Sequence, residues 1–295
     1  MLDFRVIDIS DKIWIDNLLG LSDFQGCEYS FANNLAWRRL SNSVIARFKD
    51  FYISCALNDG APTFTFPAGA GDFREVFAEM KEFADSKGAP FVITGVTEKT
   101  LCAIGSVFGS DGFTVTESRD YSDYIYAAED LAELKGKKYH GKRNHLKKLY
   151  AMNWKYEDIS DENIDDAILF CTENYNEKCG WENYSSVAEQ FALHIFFTDF
   201  QTLGLRGGLI RVDGKVQAVT IGEKINSDTL CTHIEKANAE IDGSFAAINC
   251  EFAKRNAAAV KYINREEDLG IEGLRKAKLS YYPEYILKKY SVTVK

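Results

Sequence analysis

Long apolar runs are missing from this chain of 295 residues: no stretch approaches the roughly 18 consecutive apolar residues that a transmembrane helix requires. The first ten residues, MLDFRVIDIS, carry Asp3 and Asp8 and no apolar run, which argues against a secretory signal. Both absences lead to the expectation of a cytoplasmic protein with no integral membrane segment. Low-complexity tracts, heptads and short-period repeats are lacking as well, which excludes coiled coils and solenoids. The seven cysteines, at positions 27, 55, 102, 171, 179, 231 and 250, are odd in number and scattered, with no CxxC pair and no His at zinc spacing. Disulfides and a structural zinc are therefore not expected, no metal ligand is assigned, and each cysteine reads as a small buried hydrophobe.

What is present is the composition of a globular protein: 46% hydrophobic, 27% charged and 13% aromatic residues, enough apolar surface to offset chain entropy. The length is about twice that of a typical domain, so two cores are expected. The net charge of -9 conceals an asymmetry. Residues 135–148, KGKKYHGKRNHLKK, hold seven Lys or Arg and no acid, which leaves -16 on the rest of the chain. A compact basic segment in an acidic chain suits an anionic partner, and equally a solvated face.

Periodicity gives a mixed α/β reading of the first half, ending near Ala128. Helices are expected over 12–19, 30–40, 72–87 and 99–107, and strands over 43–57, 62–66, 91–96, 114–117 and 122–126. In the second half, helices over 165–179 and 185–198 come first. Strands follow over 207–212, 215–225 and 229–237, with Asp213-Gly214 as a hairpin turn. A helix over 244–256, a strand over 262–264 and a helix over 273–282, closed by Pro283, complete the pass. The expected domains are 1–128 and 129–295, the second opening with the basic segment.

The order helix, helix, meander, helix, strand, helix resembles the GNAT acyltransferase plan, here in tandem. Three stretches sharpen the likeness: Cys27-Glu28-Tyr29-Ser30-Phe31-Ala32-Asn33 with Trp37; Gly141-Lys142-Arg143-Asn144-His145 within the basic segment; and Asn264-Arg265-Glu266-Glu267-Asp268-Leu269-Gly270 with Gly273-Leu274-Arg275-Lys276-Ala277-Lys278. Together they resemble a bacterial family related to the C-terminal catalytic domain of phosphatidylglycerol lysyltransferases, over nearly the whole chain. The resemblance implies two tandem GNAT-like domains, each a mixed, mostly antiparallel sheet flanked by helices, of the kind shared with Fem-type aminoacyltransferases. It further implies transfer of an acyl or aminoacyl group, from aminoacyl-tRNA or acyl-coenzyme A, to an amine or hydroxyl acceptor in an interdomain cleft. No tightly bound cofactor is implied. The lipid enzymes' membrane-spanning half is not in this sequence, so the acceptor stays open between a small molecule and a lipid headgroup.

Such chemistry needs a base, an oxyanion donor and positive charge for the carrier's phosphates. His233 and Glu235 lie two apart on a strand, hence on one face, with Glu223 on the strand before; they form a tuned base or a satisfied polar pair. Asp268 ends a strand beside the mobile Gly270, and Arg275 and Lys278 share a helical face suited to phosphate or carboxylate. Asp268 and Arg275 as a salt bridge is the plain alternative. Tyr281, with Tyr282, stands where a tyrosine general acid is expected, or is a buried tyrosine with a bonded hydroxyl. In the basic segment Lys138, His140, Lys142, Arg143, Asn144 and His145 read as contacts to RNA or nucleotide phosphate, with Tyr139 to stack on a base, or as a charged linker entering a helix. The turn Glu240-Ile241-Asp242-Gly243-Ser244 has one glycine and two acids where a coenzyme A pyrophosphate would sit, and Asp242 reads as a helix N-cap. That degraded turn keeps a second reading in view, a non-catalytic RNA-, nucleotide- or small-ligand-binding protein on the same fold.

Overall fold

A computed structural model describes residues 2–178 and 184–295. It opens with helices α1 (Lys12–Ser22) and α2 (Phe31–Trp37), then strands β1 (Ser43–Phe48), β2 (Phe51–Asn58), β3 (Ala61–Thr65) and β4 (Ala68–Gly69). Helix α3 (Phe73–Ser86), strand β5 (Phe91–Val96), helix α4 (Glu98–Phe108) and strand β6 (Phe113–Glu117) follow. Local chemistry sets these bounds. The Asp72 side chain accepts from Arg74 N and starts α3, and Val76, Phe77, Met80 and Ala84 form its buried stripe. Asp59 and Gly60, both with positive φ, close the β2–β3 hairpin.

The second half opens with β7 (Asp123–Ala127) and two short helices, α5 (Ala128–Glu133) and α6 (His140–Tyr150). Strand β8 (Trp154–Asp158), helices α7 (Ile164–Lys178), α8 (Tyr184–Thr198) and α9 (Phe200–Leu203), and strands β9 (Arg206–Val212), β10 (Lys215–Lys224) and β11 (Thr229–Ala237) come next. Helix α10 (Ser244–Asn256), strand β12 (Tyr262–Asn264), helix α11 (Glu272–Leu279), and strands β13 (Tyr285–Leu287) and β14 (Tyr290–Val294) end the chain. The expected helix-first order is thus corrected: α5, α6 and β8 precede α7, and most of the basic segment is the helix α6 and not a linker. The last helix stops at Leu279 instead of 282, because Tyr281 and Tyr282 N–H bond back only three residues and Tyr282 turns left-handed. Cys179, expected within a helix and buried, lies outside the described residues. Cys102 is exposed, against the expectation, while Cys27, Cys55, Cys171, Cys231 and Cys250 are buried.

The chain forms two compact units. The first holds the residues up to Asp123 with Glu267–Glu272 and Ile286–Lys295; the second holds Tyr124–Glu266 and Gly273–Tyr285. One sheet runs β1-β2-β3-β5-β14-β6 with β4 on β2, the other β13-β7-β12-β11-β10-β9-β8. The pairs β3·β5 and β11·β12 are parallel, whereas β1·β2, β2·β3, β5·β14, β14·β6, β8·β9, β9·β10 and β10·β11 are antiparallel. Both sheets are therefore mixed, mostly antiparallel and flanked by helices, the tandem GNAT-like arrangement. The first core gathers Phe51, Phe64, Phe66, Phe77 and Phe91 beneath α3. In the second, Ala218–Glu223 of β10 are buried on both faces, the pattern of a strand covered by helices on each side.

Candidate functional site

Two groups of the second unit meet behind α10. Glu235 of β11 accepts from Arg265 Nη2 at 2.7 Å and from Asn249 Nδ2 of α10 at 3.1 Å. The Arg265 guanidinium lies over the Tyr126 and Tyr281 rings, 5.6 and 4.8 Å from their centroids, and among the described residues its buried Nη1 has no hydrogen-bond partner. Lys142 Nζ of α6 stands 3.7 Å from the Tyr281 centroid. Burial, and then Arg265, lower the Lys142 ammonium to about 8, against the pull of Glu235. Burial raises the Tyr281 hydroxyl well above the usual tyrosine value although Arg265 opposes it, so the phenol keeps its proton at neutral pH.

Lys142 and Tyr281 face a pocket of about 460 Å³ that also takes in His145, Asp242 and the first turn of α10. Asp242 is not the N-cap the sequence suggested. Gly243 occupies that position with φ 95° and no side-chain cap, because a Cβ there would meet the His145 carbonyl oxygen at 2.2 Å. The Asp242 carboxylate bonds His145 Nδ1 and Lys148 Nζ, each at 2.5 Å. One of the two acids thought to repel an anion is thereby tied to two bases. Ser244 N–H is taken by Ile241 O, while the next N–H groups of α10 are the open donors of a helix N-terminus. The pocket thus offers helix amides, a cation and a protonated phenol, the parts needed to hold a phosphate and to donate a proton to a leaving group.

The other expected site residues are not among those that line this pocket. The register of β10 and β11 shifts between Ile221 and Gly222, and His233 is the extra residue of that bulge. A strict period of two does not survive a bulge, so the shared face expected for His233 and Glu235 is corrected. His233 stacks on Phe196 of α8 and bonds Glu223 at 3.1 Å and Glu266 at 2.8 Å, whereas Glu235 faces α10. Burial works to lower the His233 pKa, but Cys231 and the two glutamates outweigh it and hold it well above the ordinary histidine value. Asp268 is fully buried in the first unit, where it bonds Arg119 at 3.3 Å and Gly270 N–H at 2.9 Å; the second unit holds Arg275, which is half-buried. Lys278 Nζ is buried on the Arg265 carbonyl oxygen. Arg143 bonds the Leu134 and Gly136 carbonyls and so finishes α5, Lys138 pairs with Asp130 at 2.9 Å, and His140 and Asn144 bond each other at 3.1 Å. Tyr139, proposed to stack on a base, is buried with its hydroxyl on the Tyr281 carbonyl.

Sequence reading gave Arg265 no role beyond its place in the third stretch, and missed Asn249 and, in the first unit, a buried charged group. There Lys289 Nζ bonds Asp123 at 2.7 Å, Glu28 at 2.6 Å and Cys27 Sγ at 3.5 Å. Burial works to lower the Lys289 pKa, yet Asp123, Cys27, Glu28 and Glu267 hold it well above the usual lysine value. The Cys27-Glu28 dipeptide and the Glu267 that the sequence singled out belong to this cluster, but nothing near Lys289 in the sequence signals it.

The family model for the phosphatidylglycerol lysyltransferase C-terminal region matches residues 20–293. The chain belongs to that family. A conserved protein of unknown function from Bacteroides thetaiotaomicron is 37% identical over the whole of both chains, with a TM-score of 0.92. L-PGS from Bacillus licheniformis is 14% identical, with a TM-score of 0.66 over 95% of this chain and 90% of that one. FemX is 9% identical, with a TM-score of 0.61 over 98% and 96%. These last two share the fold. No curated protein matches in sequence. Membership of the family supports aminoacyl transfer in broad terms. Among the described residues no helix of this lysyltransferase relative is long and apolar enough to cross a membrane.

Proposed function

We propose that this chain is an acyl- or aminoacyltransferase whose donor, an aminoacyl-tRNA or an acyl-coenzyme A, places its phosphate-bearing end in the pocket between α6 and α10. The observation that carries the reading is the convergence of Lys142, Tyr281 and the open amides of α10 on one pocket. A phosphate there meets helix N–H groups and the Lys142 ammonium, and its charge offsets the repulsion Lys142 feels from Arg265. As the acceptor amine or hydroxyl bonds to the acyl carbon and the carrier's C–O or C–S bond breaks, Tyr281, held protonated by burial, gives its proton to the leaving oxygen or sulfur, and the proton the acceptor loses restores the phenol. Glu235 and Asn249 fix Arg265, and Arg265 fixes the ring of Tyr281. The acceptor is a small molecule or a lipid headgroup, and the reaction takes place in the cytoplasm.

The test is transfer itself. Purified chain is given aminoacyl-tRNA or acyl-coenzyme A with amine, hydroxyl and phosphatidylglycerol-vesicle acceptors, and labelled product is counted. Transfer is expected from one donor class, lowered about 100-fold or more in Tyr281→Phe. Absence of transfer from both classes, with donor still bound, would select the non-catalytic reading.

A further inference from the structure

The group around His233 takes no part in that pocket, and its donor atoms have a chemistry of their own. Cys231 Sγ, a His233 ring nitrogen and a Glu266 carboxylate oxygen all lie within 4.8 Å of one another, and it is Nδ1 that bonds Glu266. Cys231 lies just ahead of the bulge on β11 and His233 is its extra residue, and there thiol and imidazole come together. Glu266 reaches them from the turn after β12, where its N–H bonds Asn264 Oδ1 at 2.7 Å and its φ is 56°. Glu223 of β10 holds the far ring nitrogen, Nε2, at 3.1 Å, which aims Nδ1 at the thiol and Glu266. A carboxylate on the outer nitrogen of a ligating histidine is the usual way a metal site fixes its imidazole. Phe196 stacks on the ring at 5.6 Å and shields that face.

We propose that Cys231, His233 and Glu266 bind a divalent zinc-class ion, with Glu223 as the orienting partner of His233. A thiolate, an imidazole and a carboxylate together suit zinc, and three protein ligands leave a fourth position for water or another donor. Zinc bonds of about 2.0–2.3 Å at tetrahedral angles set neighbouring donors roughly 3.3–3.7 Å apart. The Sγ···Oε1 separation of 3.7 Å already fits. The Nδ1···Oε1 separation of 2.8 Å has to open by about half an ångström when the ion replaces the proton between them. Binding releases that proton and the Cys231 thiol proton to solvent, and no electron changes hands. The other Cys-carboxylate group, Cys27 with Asp123 and Glu267, differs in one respect: the Lys289 ammonium already sits among its donors, so no ion is assigned there. The sequence argued against zinc because the ligands come from β11 and from a turn more than thirty residues later, a spacing no short motif covers.

The experiment uses the full chain, stripped with a chelator and titrated with zinc or cobalt(II). One equivalent is expected to bind, with the visible bands of a tetrahedral cobalt–thiolate centre and a rise in melting temperature on saturation. Cys231→Ser should abolish the thiolate band, and Glu223→Gln should weaken binding roughly 10- to 100-fold while leaving the stoichiometry. Ring nitrogen NMR of His233 in the unaltered protein does not depend on any variant folding: zinc should remove the Nδ1 proton and leave the one on Nε2. No stoichiometric binding, binding unchanged in Cys231→Ser, or a His233 ring that keeps both protons in saturating zinc would each overturn the proposal.

Discussion

Lys142 carries the sharpest consequence for a single residue. Its ammonium titrates near 8 in the folded chain against an ordinary lysine value of about 10.4. The cation is therefore present below that value and lost as pH rises through it, so donor affinity should fall from about pH 7 to 9. In Lys142→Arg the guanidinium stays charged over that range, and calorimetric titration should show the decline gone. For stability the sign is opposite. Between the two values the unfolded chain binds more protons than the folded one, so the burial of Lys142 costs the fold most below about pH 8, and the cost lifts as pH rises. Tyr281 and Lys142 were open to a reading of the sequence, one by its place before Pro283 and the other by the charge around it. Arg265 stood in the third stretch of the resemblance, but its role was not legible, because a lone arginine there has no periodicity and only tertiary packing places it over two tyrosine rings.

At the scale of elements, the grip between α6 and the turn before α10 decides the shape of the pocket. Asp242 is exposed, so its bonds to His145 and Lys148 contribute little to stability in water. Asp242→Asn should leave the melting temperature nearly unchanged and raise affinity for an anionic donor, because a carboxylate lining the pocket is neutralised and Lys148 loses its counter-charge. A weaker affinity in that variant would mean that the carboxylate itself positions the donor. Gly243→Ala is the opposite case. Its Cβ would collide with the His145 carbonyl at a left-handed φ, a strain of order 1–3 kcal/mol, measurable as a lower urea midpoint. The strands and helices were largely legible, since their periodicity is strong and Asp213-Gly214 marks a hairpin. The helix through Leu146 and Leu149 was open as an alternative, but its start as early as His140, within the run of cations, was not, nor was the bulge at His233, which no local pattern announces.

For the whole molecule, the charge asymmetry is smaller in the folded chain than along the sequence. Lys135 and Lys138 pair with Glu133 and Asp130, Lys148 pairs with Asp242, and Arg143 is spent on two carbonyls. Among the described residues that leaves Lys137, Lys142 and Lys147 of the basic segment without an acidic partner. Binding of tRNA should show a slope of log K against log salt of roughly -2 to -3, shallower than the roughly -6 of seven phosphate contacts. Lys147→Ala should reduce it by about one. In the first unit, Lys289→Met strands the buried Asp123 carboxylate and should cost roughly 3–5 kcal/mol in urea unfolding. A cost under about 1 kcal/mol would show that the cluster neutralises itself by taking up a proton. The return of β14 to lie between β5 and β6 ties the end of the chain to that unit, a long-range pairing that reading along the sequence does not supply.

The central claim is that the donor's phosphate sits against Lys142 and the first turn of α10. A crystal of the chain with a non-hydrolysable donor analogue tests it most directly. Phosphate within hydrogen-bond reach of Lys142 Nζ and the opening amides of α10 is the predicted result. An analogue bound elsewhere with that pocket filled only by water would contradict the account.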